Sequence, residues 1–161
     1  MWTGVGIRHS KRSGGKYEKA DFGTSDGKNR ADVFLESHTK MQKYAKEETV
    51  DCIVFNFGYL PGGDHQLATR ADTSIEAIKQ GLRLLKVGGM MSLCIYSGGD
   101  SGFEERDVIL SFLKFLDTKY YLVILSSYYN RPNHPPIPVM ILKLKSDVAI
   151  HENTSDKHGK K

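Results

Sequence analysis

Asn56 and Tyr59 have the residue types and the spacing to position an amine for chemistry, and they follow a continuous apolar run at residues 52–55. An asparagine carboxamide oxygen can accept a hydrogen bond from an amine and so orient the nitrogen lone pair toward an electrophile. The tyrosine ring can stack on a flat substrate such as a nucleobase, and Gly58 keeps the turn between them open. This combination suits methyl transfer to nitrogen. The alternative interpretation is an ordinary turn followed by a core tyrosine.

The same loop continues with five residues that could contact a substrate. Pro61 restricts the backbone, and Gly62 and Gly63 permit the close approach of a ligand. Asp64 or His65 could receive a proton. The alternative for this Asp-His pair is a solvated loop surface.

Ser37 and His38 follow another short apolar run, at residues 33–35. They offer a hydroxyl and an imidazole to the edge of an adenine or another polar ligand. Residues 99–102 superficially match the loop around a serine-protease nucleophile, but that chemistry needs a positioned His and Asp on an all-β scaffold. We expect Asp100 or Ser101 to cap the following helix instead, and we expect no metal site.

The order of apolar segments predicts an α/β fold around these residues. Strands are predicted at 33–35, 52–55, 90–96, 121–125 and 139–144, and helices at 39–48, from about 72 to 86, and from about 104 to 116. Four prolines between residues 130 and 138 exclude a regular element there. The uninterrupted run at 52–55 favours a parallel strand buried on both faces.

The spacing of apolar residues predicts the face of the first long helix, and the order of the elements predicts the type of sheet. In the first long helix Ile75, Ile78, Leu82 and Leu85 recur at helical spacing, and Gly88 with its neighbouring glycine is predicted to stop it. The element order predicts a mostly parallel sheet closed by a C-terminal antiparallel hairpin. In such open sheets ligands bind beyond the carboxyl ends of the strands.

Composition indicates one soluble globular domain with a basic leader. The 161 residues carry 23 basic and 19 acidic side chains, a net charge of +4, and the whole surplus lies within residues 1–30. We expect residues 1–31 to form an atypical, flexible leader, residues 32–145 the domain, and residues 146–161 a frayed polar tail. Cys52 and Cys94 lie in apolar runs, so we expect buried thiols in a reducing cytosol, and no stretch is apolar enough to span a membrane.

Four stretches carry a resemblance to a known family: FNFGYLPGGDH at 55–65, TSIEA at 73–77, LKVGG at 85–89 and IYSGGDSGFEE at 95–105. Over about residues 32–145 the chain resembles the putative rRNA methylase family, whose characterised members methylate 5-(aminomethyl)-2-thiouridine in tRNA. The resemblance implies a Rossmann-like class I methyltransferase fold, S-adenosylmethionine as cofactor and tRNA as substrate.

The resemblance also implies roles for individual residues. Ser37 and His38 would contact the cofactor, Asn56 would contact it and, with Tyr59, line the substrate side, and Asp64 with its neighbour His65 would lie close by. Nothing in residues 1–31 matches the family's first βαβ unit with its glycine loop, so that unit is missing or altered in our interpretation. Ser97 stands where many relatives carry a histidine.

The leading hypothesis is an S-adenosylmethionine-dependent N-methyltransferase that acts on the aminomethyl group of a modified wobble uridine in tRNA, as a cytoplasmic protein and a candidate homodimer. The main rival is a non-catalytic RNA-binding or interaction module derived from such an enzyme, in which the basic leader binds phosphates. A third hypothesis is methylation of rRNA or of a small molecule.

Overall fold

The structure, a computed structural model, describes residues 6–7, 33–34, 36–57, 71–97 and 102–147. The elements of this part of the chain, in order, are β1 (Gly6–Ile7), β2 (Val33–Phe34), a 3₁₀ helix (His38–Lys43), β3 (Val50–Phe57), α1 (Ala71–Leu84), β4 (Leu85–Ile95), α2 (Gly102–Lys114), β5 (Tyr121–Leu125) and β6 (Ile137–Lys143).

The main sheet has the strand order β3-β4-β6-β5. Strand β3 pairs in parallel with β4, and β6 pairs antiparallel with both β4 and β5. Strands β3, β4 and β5 therefore run in one direction, and β6 alone is reversed. This arrangement confirms the predicted α/β fold and its C-terminal antiparallel hairpin, in a mixed sheet of four strands.

Strands β1 and β2 form a separate parallel pair, in which Gly6 lies opposite Val33 and Ile7 opposite Phe34. The sequence predicts no regular element before residue 32, because the first thirty residues follow neither the strand nor the helix period. A strand of two residues is too short to show an alternation of apolar and polar side chains. Strand β1 is defined by its pairing with β2.

Helix α1 packs on one face of the sheet through Ala77, Ile78 and Leu82, which are all buried. The sequence predicts that this helix continues to Lys86 and stops at the glycines. That prediction is wrong, because α1 ends at Leu84 and Leu85 already pairs with the first residue of β3.

Residues 86–89 form an irregularity in the β3–β4 ladder. Val50 pairs with Leu85, and Cys52 pairs with Met90. Between these two pairs β3 has one residue, whereas β4 has four. Gly88 lies there with a φ of +80°, a conformation that glycine adopts without steric cost. The glycines therefore shape a bulge inside the strand rather than a helix end.

Strand β3 is longer than the predicted apolar run, and it has one covered face. Phe55 and Phe57 are buried on the helix side, whereas Val54 and Asn56 point to the opposite side and are exposed. The prediction that this strand is buried on both faces is therefore wrong for the described residues. Leu122, Ile124 and Met140 are likewise exposed large apolar side chains.

Two boundaries near the C-terminus also differ from prediction. Helix α2 begins two residues earlier than expected and buries Ile109 and Leu113, whereas Val108 and Phe115 are exposed. Strand β6 includes Pro138 near its start. The two cysteines are free and half-buried rather than fully buried.

The chain remains attached to the sheet beyond β6, because Asp147 is buried. Its carboxylate lies 2.7 Å from the Lys143 ammonium and accepts a hydrogen bond from the Tyr121 hydroxyl. Asp147 is therefore held against the fold, although it falls within the segment 146–161 that the sequence predicts to fray. The lysine is fully buried, donates 3.0 Å to the carbonyl oxygen of Leu82, and lies 3.2 Å from Glu48.

Candidate functional site

The carboxyl ends of β3 and β4 meet at one edge of the sheet because the two strands are parallel. The amide of Tyr96 donates a 2.9 Å hydrogen bond to the carbonyl oxygen of Phe57, so the pairing continues past Ile95. Ser97, the next residue, is buried. This edge is where an open α/β sheet binds its ligands.

Asn56 lies on β3 itself rather than in the loop after it, and its side chain is exposed. In the ladder it is the register partner of Cys94 on β4. Asn56 and Cys94 therefore project from the sheet face that α1 does not cover. The carboxamide is held on a rigid strand, which is a precise way to position a polar group.

Tyr96 follows Cys94 on the same side of β4. A hydrogen bond with the Cys94 thiol and the proximity of the Tyr128 phenol raise the pKa of the Tyr96 hydroxyl. The Tyr96 phenol therefore lies on the same sheet face as Asn56 and interacts with the thiol of Cys94, the register partner of Asn56.

Ser37 begins the 3₁₀ helix as its N-cap. Its Oγ accepts a 3.3 Å hydrogen bond from the Thr39 amide and lies 2.8 Å from the Thr39 hydroxyl. The structure confirms a helical segment after Ser37, but it is a 3₁₀ helix with non-helical angles at Lys40 and ends at Lys43, instead of the helix predicted over 39–48. Its N-terminal end presents the Ser-His pair.

His38 packs against two aromatic side chains of β3. Its ring centroid lies 6.4 Å from that of Phe55 and 6.2 Å from that of Phe57, both edge-on, and the two phenylalanine rings stack at 4.9 Å. Because Asn56 lies between these phenylalanines, its side chain points to the other face of the strand. The structure therefore does not bring His38 and Asn56 together on one face, and a ligand that contacts both must pass the end of β3.

Glu36, which precedes the Ser-His pair, forms ion pairs with two lysines of the 3₁₀ helix. Its carboxylate lies 3.1 Å from the Lys40 ammonium and 3.2 Å from that of Lys43. Hydrogen bonds from these two lysines and from the Ser37 amide lower the pKa of Glu36 to about 2. At neutral pH the carboxylate is ionised and its two lysine partners neutralise it.

Six further predicted site residues lie outside the described residues: Tyr59, Pro61, Gly62, Gly63, Asp64 and His65. Asp100 and Ser101, the expected helix caps, also lie outside them. Within the described ranges no cluster of three or more His, Cys, Asp or Glu side chains could hold a metal ion, and no helix there is long and apolar enough to cross a bilayer.

Sequence reasoning missed a buried contact beside this edge of the sheet. The Ser74 hydroxyl, in the first turn of α1, donates a 2.7 Å hydrogen bond to Glu105 in the first turn of α2. Both side chains are buried. A polar pair separated by thirty-one residues leaves no periodic pattern in the sequence, so no local signal could have revealed it.

Three comparisons with known proteins give concordant results. The model of the family described as Putative rRNA methylase matches residues 16–142, a range that includes part of the basic N-terminal segment. A curated relative, the chloroplastic tRNA (mnm(5)s(2)U34)-methyltransferase of Arabidopsis thaliana, is 36% identical over 109 residues, which are 67% of this chain and 40% of the relative.

Two solved structures are also similar. A putative rRNA-methylase from Clostridium thermocellum is 42% identical with a TM-score of 0.67, and the match covers 71% of this chain and 61% of that one. A putative methyltransferase from Streptococcus mutans, solved in complex with SAH, is 34% identical with a TM-score of 0.64, covering 72% and 62%. These similarities confirm the predicted methyltransferase fold. The chain spans less than two thirds of each of these relatives.

Proposed function

Because the chain belongs to the Putative rRNA methylase family, we propose that it acts as an S-adenosylmethionine-dependent RNA methyltransferase, by itself or as part of a longer protein. The finer proposal is methylation of the aminomethyl nitrogen of a modified wobble uridine in tRNA. The name of the Arabidopsis relative supports a tRNA substrate. The observation that carries the proposal is the exposed Asn56 carboxamide, held at the carboxyl end of β3 beside β4.

The proposed site residues have donors and acceptors that suit this chemistry. S-adenosylmethionine supplies a methyl group on a sulfonium centre, whose sulfur keeps the bonding electron pair when the methyl leaves. Asn56 accepts a hydrogen bond from the acceptor N–H and directs the nitrogen lone pair at the methyl carbon. Tyr59 stacks the uracil ring. The methylated nitrogen then loses a proton, for which Asp64 or His65 is the proposed acceptor; a neutral amine needs little help from a base beforehand.

The described residues supply polar groups that support the proposed cofactor. An adenine edge needs a donor and an acceptor, and Ser37 and His38 supply a hydroxyl and an imidazole at the start of the 3₁₀ helix. The SAH-bound structure of the Streptococcus mutans protein supports this ligand class. We propose that these two side chains hold the adenosine end and that Asn56 faces the reacting end.

Calorimetric titration tests the cofactor, and methyl incorporation tests the reaction. We expect heat of binding with S-adenosylmethionine and label transfer from it into purified tRNA in preference to rRNA. Asn56→Ala should lower the single-turnover rate about 100-fold, while Val54→Ala, a matched control on the same exposed face of β3, should not. An unchanged rate in Asn56→Ala would contradict the proposed role, and transfer to rRNA alone would contradict the tRNA assignment.

The rival function, a non-catalytic RNA-binding module, makes a different prediction. If the basic segment 1–30 provides the RNA contacts, its deletion should flatten the dependence of RNA affinity on salt. If the RNA instead binds near the strand ends, the deletion should leave most of the salt dependence of RNA affinity unchanged.

Two further proposals are tested separately. Light scattering tests the proposed homodimer, and a fluorescent fusion imaged in cells tests the proposed cytoplasmic location.

A further inference from the structure

The connection between β5 and β6, residues 126–136, lies at the same edge of the sheet as the candidate site. Strand β5 runs in the direction of β3 and β4, so its carboxyl end, Leu125, points to that edge, and β6 begins there at Ile137. The connection reads SSYYNRPNHPP. It contains two tyrosines, an arginine and a histidine, and it has no acidic residue.

This connection exposes large aromatic side chains that a solvated loop does not need. Tyr129 is fully exposed, with a relative accessibility of 104%, and Tyr128 is 47% exposed. Phe103, in the first turn of α2 at the same edge, is 41% exposed. A single exposed ring is ordinary, but a group of exposed aromatics at one edge is typical of a binding surface.

Specific contacts hold the connection against α2. The His134 ring meets the Phe103 ring edge-on with 5.4 Å between centroids. The Arg106 guanidinium lies 4.9 Å from the centre of the same phenylalanine ring. Asn133 and His134 have φ values of 64° and 50°, a left-handed turn that Asn and His tolerate better than most residues. The turn thereby presents the imidazole to α2.

The connection also reaches the end of β4. It leads directly into Ile137, the register partner of Ile95 at the end of β4, and the Tyr128 phenol contributes to the raised pKa of the Tyr96 hydroxyl. Tyr96 is hydrogen-bonded through its amide to the last residue of β3. The exposed tyrosines therefore lie at the same edge of the sheet as Asn56.

The β5–β6 connection and the first turns of α2 differ in charge. Arg131 and His134 belong to the connection, and Arg106 to α2, where Glu104 and Asp107 are also exposed. Asp107 lies 2.6 Å from Arg106 and partly neutralises it. The connection itself therefore supplies the cationic character, beside neutral rings.

We propose that this aromatic patch, defined as Phe103, Arg106, Tyr128, Tyr129, Arg131 and His134, binds unpaired nucleotides of an RNA. The proposal rests on the RNA substrate of the proposed function. Exposed tyrosine rings offer stacking platforms for bases, and arginine with histidine binds the phosphates between them. Base faces are accessible in loops and hidden in duplexes, so the patch selects a single-stranded loop over paired RNA.

Fluorescence anisotropy with the full chain tests the proposal, using a labelled synthetic RNA hairpin with an unpaired loop and a fully paired duplex of the same length. We expect the hairpin to bind more tightly than the duplex. Tyr129→Ala should weaken hairpin binding about 5- to 150-fold, and Arg131→Ala should reduce the salt slope by about 0.7. The matched control, Phe115→Ala with Lys114→Ala, removes an exposed ring and a cation from the other end of α2 and should change neither value.

The outcomes separate this proposal from the proposed function. Hairpin binding that is equal in wild type, Tyr129→Ala and Arg131→Ala overturns the patch while leaving methyl transfer intact. Loss of hairpin affinity in these variants supports the patch even if calorimetry shows no binding of S-adenosylmethionine, in which case the enzyme proposal fails alone. Equal affinity for hairpin and duplex, an absence of RNA binding by the wild type, or a change only in the oligomeric state measured by light scattering each overturns the patch.

Discussion

The Ser74 hydroxyl donates a 2.7 Å hydrogen bond to the Glu105 carboxylate, and this buried bond joins the first turn of α1 to the first turn of α2. Helix α1 follows β3 in the order of elements, and α2 follows β4. The bond therefore ties together the two helices whose N-terminal ends flank the candidate site. A hydrogen bond to a buried carboxylate is worth more than a neutral one, and the carboxylate is costly to leave unpaired.

Ser74→Ala should lower the free energy of unfolding by about 1–3 kcal/mol, because Glu105 would lose its buried donor. Urea unfolding measures the effect. Ser111→Ala, the same chemical change at an exposed position of α2, should stay within about 0.5 kcal/mol of wild type. Equal losses in both variants would show that the bond does not stabilise the packing of the two helices.

Lys143→Met should be strongly destabilising, by about 3–5 kcal/mol, because it removes the buried ammonium that lies 2.7 Å from the buried Asp147 carboxylate. Adding Asp147→Asn should recover part of that loss, since the neutral amide needs no counter-charge. Lys145→Met removes the same charge from an exposed position and should have little effect. Chemical denaturation of the single and double variants checks this, and a double variant no more stable than Lys143→Met would contradict it.

Tyr121 should make stability fall at high pH. Burial, together with its hydrogen bond to Asp147, raises the pKa of its hydroxyl well above the usual value. A raised folded-state pKa means that the stabilisation is complete below about pH 10, the unfolded value, and is lost as pH rises above it. The stability advantage of wild type over Tyr121→Phe should shrink by up to about 1.4 kcal/mol per pH unit above pH 10. Parallel pH profiles would refute this assignment.

Gly89→Ala should destabilise the protein by about 1–3 kcal/mol through overpacking. An added Cβ would lie 2.8 Å from the carbonyl oxygen of Lys86 and 3.1 Å from that of Asp51, and backbone atoms cannot move aside easily. At Gly88 a Cβ meets nothing within 4 Å, so Gly88→Ala should cost only the strain of its positive φ, about 1–2 kcal/mol. Thermal unfolding compares the two, and a Gly89→Ala variant as stable as wild type would show that this bulge relaxes.

The segment order, the hairpin and the helical face of α1 could be predicted because each depends on residues close together in the chain. Ile78 and Leu82 recur at helical spacing and are buried as that spacing predicts. The long strings at 55–65 and 95–105 were enough to indicate the family. The buried face of α2 was harder to predict, because the helix has apolar residues on all sides. Helical periodicity therefore did not separate the buried Ile109 from the exposed Val108.

The tertiary structure alone decided which residues meet. Local sequence could not show that Leu85 leaves the helix, because its pairing with Val50 across the sheet competes with helical propensity. The pleat of β3 then separates Asn56 from His38, and the tertiary packing brings Lys143 to the carbonyl oxygen of Leu82 and the β5–β6 connection to the ends of β3 and β4. Such relationships depend on register and on contacts between residues distant in the chain, and no short-range pattern encodes them.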